Sequence, residues 1–230
     1  MFERFQHRSH ALERLDTGDY TAAEYERWQR EMRLIHRFWG EKQALRDTLV
    51  ADIRNSRLAY ASILDVGAGN GDVLDLVCEM LPEQDLLLIA AETSDDALGS
   101  LVNDKQKTRI RSLKASGLRL PFDDHSVDFA ISTLTLHHMS DADAMVLIRE
   151  MCRVSRRRFY LVDLNRHPVG YYGWRLLSPF LFQRFTREDG ALSIFRSFTA
   201  DELLALAKEA GVSEAKVIHS RANRLVLSGR

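Results

Sequence analysis

The chain has 230 residues, 45% of them hydrophobic, which suits one α/β domain with an elaboration and a full core, and not two large independent domains. Its formal net charge is -1, with 33 acidic residues against 32 Lys and Arg. Bulk electrostatics therefore offers nothing to nucleic acid or an anionic membrane, and a partner must be selected by a pocket. Cys78 and Cys152 are the only cysteines and both sit in apolar helical patterns, which suggests neither a disulfide framework nor a cysteine-based zinc site; no metal site is expected. Met1 to Arg8 is charged and lacks an apolar signal core, and no apolar run approaches membrane-spanning length. Export and membrane insertion are not expected, and a cytoplasmic location is.

Residues 1–57 carry helical periodicity with mixed charge, as in Tyr25 to Gly40, and are expected to form an N-terminal helical cap. From Ala61 onward short β-type runs alternate with helical patterns, the sequence form of a parallel sheet covered on both faces. The expected strands are 62–66, 86–91, 109–115, 127–132, 158–164, 215–220 and 223–229. Ser140 with Asp143 reads as a helix cap, and Thr199-Ala200-Asp201-Glu202 as a capping box opening a helix from Glu202 to Ala210 that Gly211 ends. Only Arg221-Ala222 separates the last two strands, too little for a parallel crossover and right for a hairpin. Residues 165–197 interrupt the alternation and are rich in aromatics, including Tyr171, Tyr172, Trp174, Phe180, Phe182, Phe185 and Phe195. Most of these are expected to pack the segment onto the sheet and a minority to line an apolar pocket.

The most telling stretch is Ile63-Leu64-Asp65-Val66-Gly67-Ala68-Gly69-Asn70-Gly71-Asp72, an apolar run, a glycine-dense turn and the start of a helical pattern. Glycine tolerates φ > 0 and has no Cβ, so such a turn can press its backbone against a nucleotide-type ligand. A dinucleotide fingerprint G-x-G-x-x-G needs its third glycine where this chain has Asp72. A second acid, Glu92, ends the next apolar run and is followed by Thr93-Ser94. At the end of the second strand of a doubly wound sheet it can accept hydrogen bonds from both ribose hydroxyls. As a helix-start acid it would serve the helix dipole instead.

The D-x-G-x-G-x-G pattern, together with Glu92 and the later Lys114-Ala115-Ser116-Gly117-Leu118-Arg119-Leu120-Pro121-Phe122 segment, resembles the motifs of class I S-adenosyl-L-methionine (SAM) dependent methyltransferases. The resemblance covers about residues 61–164. It implies an α/β, Rossmann-like, seven-stranded, mostly parallel doubly wound sheet with an antiparallel last strand, plus the N-terminal helical cap and the aromatic-rich insert. It implies a SAM-binding domain over 58–230, with SAM held by Asp65, Gly67, Ala68, Gly69, Gly71, Glu92, Thr93, Ser116, Gly117 and Thr133. The chain departs from the family at Ser116, where an acid usually meets the adenine; a hydroxyl and the Gly117 amide stand there instead.

The fourth strand runs into Ser132-Thr133-Leu134-Thr135-Leu136-His137-His138-Met139, at the crevice where a methyl donor faces its acceptor. Methyl transfer is an in-line displacement that relies mostly on positioning. A neutral oxygen acceptor must still lose a proton, and imidazole is the side chain suited to take it at neutral pH. His137 and His138 are therefore the candidate catalytic residues, with structural packing as the competing account. Asp163, Asn165 and Arg166 end the fifth strand, either to orient a substrate or to support the insert, and Arg153, Arg156, Arg157 and Arg158 read as a solvated surface.

Motifs for methylating amino groups of DNA or pyrimidine carbons are absent, which disfavours nucleic-acid substrates. The arrangement is similar to bacterial small-molecule methyltransferases of the quinone and polyketide biosynthetic type. The expected partner is a small hydrophobic acceptor, methylated at oxygen. Two other readings stay open: a nonenzymatic SAM-binding protein, and an NAD-dependent oxidoreductase, which Asp72 and the lack of a Tyr-x-x-x-Lys dyad oppose. Nothing in the sequence speaks to oligomeric state.

Overall fold

A computed structural model describes residues 3–230; Met1 and Phe2, the first residues of the expected cap, lie outside the described residues. Seven strands, β1 Tyr60–Val66, β2 Asp85–Glu92, β3 Ile110–Lys114, β4 Val127–Thr133, β5 Ser155–Leu164, β6 Lys216–Ser220 and β7 Arg224–Gly229, form one sheet in the order β3-β2-β1-β4-β5-β7-β6. β1 to β5 pair in parallel, and β7 is antiparallel to both β5 and β6. The sheet is the expected one. The connection β6–β7 takes three residues, because Ala222 and Asn223 both turn through positive φ, at 52° and 62°, before Arg224 resumes pairing.

Successive side chains of a strand point to opposite faces, and β1 supplies both cores. Ile63 joins a cluster with Leu45, Leu49, Ile53, Val77 and Phe129, while Leu64 joins one with Ala130, Leu147, Ile148, Met151 and Leu203. That is why the central strands read as continuous apolar runs. The first face is covered by α5 Asp72–Met80 and by the run from α3 Glu41–Leu45 through a π-helical turn at Arg46–Val50 into α4 Ala51–Ser56; the second is covered by α7 Asp141–Val154 and α10 Ala200–Glu209. α6 Asp95–Asn103 links β2 to β3. The expected caps form: Ser140 Oγ accepts from Asp143 N at 3.1 Å, Thr199 and Glu202 make the capping box of α10, and Gly211 follows that helix at φ 82°.

The remaining helices gather over the carboxyl ends of the central strands. The N-terminal segment holds α1 Arg14–Thr17 and α2 Ala22–Phe38, the latter opened by a Thr21–Glu24 capping box, and residues 165–197 hold α8 Pro168–Leu177 and α9 Arg184–Arg196. A third apolar cluster, Ile35, Trp174, Phe182, Ala191 and Ile194, joins the two segments. No described helix is long and apolar enough to cross a membrane.

In the arginine cluster Arg156 and Arg157 are exposed, as expected of a solvated surface, while Arg153 and Arg158 are partly buried. β5 begins at Ser155, so Arg156 to Arg158 lie within it; Arg156 and Arg157 reach Asp128 of β4 at 2.9 and 3.7 Å. Arg153 is pinned by Glu150 and Asp124, and donates to the carbonyls of Leu120 and Phe122, fixing the Leu120-Pro121-Phe122 turn. The ion pairs that these side chains make across the sheet end are invisible to a one-dimensional charge pattern.

Candidate functional site

The ends of β1, β2 and β4 open into a cavity of about 580 Å³, roofed by α1, α2, α8 and α9. On its floor the glycine turn takes φ values of 72°, 54° and 80° at Gly67, Gly69 and Gly71. The three glycines serve different ends. A Cβ on Gly67 would lie 2.7 Å from Thr135 Oγ1 and one on Gly71 2.8 Å from Leu101 Cδ1, whereas a Cβ on Gly69 would meet nothing within 4 Å. Gly67 and Gly71 thus let the turn pack, and Gly69 leaves its backbone bare toward open space.

Glu92 ties this turn to the end of β2. Its Oε2 accepts from Gly69 N at 2.9 Å, and its Oε1 accepts from Thr93 N at 2.7 Å and Ser94 N at 2.9 Å. A carboxylate offers about four lone-pair sites, so Oε2 keeps capacity for another donor. Beneath the turn Asp65 is fully buried with both carboxylate oxygens unpartnered. Burial, reinforced by the Glu92 charge, raises it to about 8. Asp72, at the position a dinucleotide site reserves for glycine, accepts from Lys107 Nζ at 2.5 Å; the same ammonium donates to Asn70 O at 2.7 Å. Lys107 thereby clamps the turn to the loop before β3.

The same cavity takes in the two histidines, in a short 3₁₀ turn after β4. His137 is buried, with Nδ1 2.7 Å from Asp163 Oδ1, and His138 Nδ1 lies 2.8 Å from Asp16 Oδ1. Arg196 bridges Asp16 and the carbonyls of His137 and His138, while Arg8 donates to the carbonyls of His137 and Met139 and lies over the Phe198 ring. Glu13 reaches in from the segment before α1, its Oε1 accepting from Ser193 Oγ at 3.0 Å. Burial raises its carboxyl to about 7.

Of the residues singled out from sequence, Gly67, Ala68, Gly69, Glu92, Thr93, Ser116, Gly117, Thr133, His137 and His138 line this one cavity. Asp65 and Gly71 do not face it: the first lies under the turn, the second against Leu101 and Ile110. Arg166 is spent on structure, pairing with Glu202 and donating to the Phe5 and Ser197 carbonyls.

A match to the family described as "Methyltransferase domain" covers residues 63–158, from β1 into β5 and across every floor element of the cavity. Residues 63–158 are a methyltransferase domain of the class I SAM-dependent type. A SAM-dependent methyltransferase from Aquifex aeolicus has the same fold at 16% identity, covering 88% of this chain and 97% of its own, with a TM-score of 0.61. Magnesium protoporphyrin IX methyltransferase from Synechocystis PCC 6803, solved with bound S-adenosylhomocysteine (SAH), is 13% identical over 90% of this chain and 94% of its own, TM-score 0.61. A SAM-dependent methyltransferase from Thermotoga maritima is 21% identical over 90% and 94%, TM-score 0.57. No curated protein matches in sequence.

SAM is the cofactor of this methyltransferase domain, and the floor fits it on two counts: the bare backbone at Gly69 and the spare acceptor capacity of Glu92 Oε2 beside it. Sequence reasoning missed most of the opposite wall. Of the insert's aromatics only Trp174 faces the cavity, beside Tyr20, Tyr25, Trp28 and Trp39 of the N-terminal segment. Phe185 instead backs that wall, stacked between Tyr20 and Trp28, and Phe180 is 84% exposed. Glu13 and Asp16 were also missed, since nothing local ties acids near the N-terminus to histidines more than 120 residues away.

Proposed function

We propose that this enzyme methylates an oxygen of a small hydrophobic acceptor. In this reading Gly67, Ala68, Gly69, Glu92, Thr93, Ser116, Gly117 and Thr133 hold the donor, with Asp65 and Gly71 supporting the turn from behind. The N-terminal segment from Glu13 to Trp39 and residues 165–197 act as a cap that closes over the acceptor, whereas 41–56, expected to belong to the cap, pack on the sheet instead, and SAM supplies the electrophilic methyl group when bound. The observation that carries the proposal is the continuity of one cavity from Gly69 to His137 and His138, walled between them by Tyr25, Trp28, Met32, Ile35, Trp39 and Trp174.

The size of the cavity is ordinary for a small-molecule site, and its aromatic wall favours a planar, apolar acceptor over a charged one. In-line transfer asks the protein chiefly to hold the acceptor atom about 3 Å from the methyl carbon in a dry site. The proton of an acceptor hydroxyl needs a base, and each histidine has its Nδ1 committed to a carboxylate, leaving Nε2 as the nitrogen able to take it. His137 is the better placed, being buried and fixed by Asp163.

The test is a SAM-turnover screen against phenols, hydroxyquinones, hydroxylated polyketides and carboxylic acids, reading SAH release, with calorimetry using SAH and NAD. We expect SAH binding, no NAD binding and turnover of at least one hydroxylated aromatic. Binding of NAD without SAH, or a product methylated only at nitrogen or carbon, would overturn the proposal.

A further inference from the structure

We propose that Glu13, His137 and His138 form a site for one divalent transition-metal cation of the zinc type, at the acceptor end of the cavity. The site rests on the reading above only in that this end receives the acceptor.

The three side chains converge without bonding one another. His137 Nε2 lies 3.8 Å from Glu13 Oε1 and His138 Nε2 4.0 Å from Glu13 Oε2, and one ligand atom from each residue falls within 4.8 Å of the others. These gaps are too long for hydrogen bonds. Tetrahedral ligands at bond lengths of about 2.1 Å stand about 3.4 Å apart, so the gaps must close by about 0.4 to 1.4 Å, within the reach of side-chain rotation, to complete the coordination.

Orientation is a second and independent argument. Metal-binding histidines hold their other ring nitrogen on a carboxylate or carbonyl, which fixes tautomer and direction. Here both do so: His137 Nδ1 on Asp163 at 2.7 Å and His138 Nδ1 on Asp16 at 2.8 Å. Both Nε2 lone pairs are thereby left for a cation.

Charge is a third. Arg196 is paired with Asp16, though it also lies 3.5 Å from Glu13, and Arg8 is paired with Asp141. Three buried carboxylates remain at this cavity, Glu13, Asp163 and Asp189, 3%, 4% and 5% exposed, a surplus of negative charge that favours a divalent cation. Two imidazoles and one carboxylate suit zinc, cobalt or iron(II) rather than magnesium or calcium. All three ligands line the cavity, and three protein ligands with an open position make a catalytic rather than a structural site. With a cation bound the Nε2 atoms are ligands; without one they are free bases.

The experiment titrates the chelator-treated full chain with Co²⁺ and then Zn²⁺, following visible absorption and heat, in the absence of SAM and acceptor. We expect one Co²⁺ per chain with the intense bands of a four- or five-coordinate site, displaced by Zn²⁺. Glu13→Gln and His138→Ala should each weaken binding at least 100-fold, and Asp16→Asn, which holds His138 Nδ1 and pairs with Arg196, about 10- to 100-fold. Absence of stoichiometric Co²⁺ binding, or binding unchanged in the Glu13→Gln/His138→Ala double variant, overturns the site. SAH calorimetry on every variant reports folding, since none of the substituted residues is among those assigned to hold the donor. Because no turnover enters the measurement, failure of the metal site and failure of the oxygen-acceptor reading are separately visible.

Discussion

Asp163 holds His137 by two atoms at once: Oδ1 lies 2.7 Å from the ring Nδ1, and Oδ2 accepts from the His137 backbone N at 3.1 Å. Burial alone would raise the Asp163 carboxyl, yet the His137 ring and the amides of Leu164 and His137 hold it below its ordinary value. In the neutral ring an ionised Asp163 selects the Nδ1–H tautomer, which presents the Nε2 lone pair to the cavity.

Asp163→Asn should therefore impair transfer while sparing the donor. Its amide keeps the shape but can equally donate to Nδ1, which turns Nε2 into an N–H. We expect kcat to fall about 10²- to 10⁴-fold, the usual worth of a positioned base, with SAH affinity by calorimetry within about threefold of wild type. Rates within a few-fold would remove the pair from the mechanism.

The three glycines of the turn should separate stability from binding. Gly71→Ala places a Cβ 2.8 Å from Leu101 Cδ1 at φ 80°, so it should lower stability by about 2–4 kcal/mol, combining left-handed strain with overpacking. Gly69→Ala carries the same kind of strain, about 1–2 kcal/mol, but points into open space. Its larger effect should be on SAH affinity, at least tenfold weaker. Thermal melts and calorimetry on the pair check the contrast, which equal losses of affinity per unit of stability would contradict.

What the sequence disclosed was local, and what it withheld was distant. β1, the glycine turn and α5 are contiguous, so alternation, a run of φ-tolerant residues and helical spacing were enough to place them; the same holds for the β6–β7 hairpin and the Thr199–Glu202 cap. The wall opposite the floor was not legible. Asp16 meets His138 across 122 residues of chain, and Tyr25 and Trp28 look like ordinary helix residues until α2 is laid over the cavity. Lys107 sat in an unremarkable polar loop, and only the fold shows that it is 7% exposed.

That lysine gives a stability prediction. Lys107 Nζ lies 2.5 Å from Asp72 Oδ1 and 3.5 Å from Asp75, with its side chain 6% exposed and that of Asp72 8%. Removing one partner of a buried ion pair leaves an uncompensated charge, at a cost of about 3–5 kcal/mol. Lys107→Met should lower stability by that order in urea unfolding, and adding Asp72→Asn should recover much of it. Additive losses in this double-mutant cycle would show that the two side chains do not act as a pair.

Asp65 sets a pH dependence with a definite sign. Its unfolded-state value is about 3.9, while burial and then the Glu92 charge raise the folded value to about 8. The folded chain therefore retains a proton that the unfolded chain releases. The stabilisation from this proton is complete below about pH 3.9 and is lost as pH rises toward 8, with a limiting slope of about 1.4 kcal/mol per pH unit. Melting temperatures of the cofactor-free protein should fall between pH 5 and pH 8, and Asp65→Asn should flatten that slope, because an amide has no proton to lose. Identical profiles for the two proteins would show that Asp65 is ionised in the folded state.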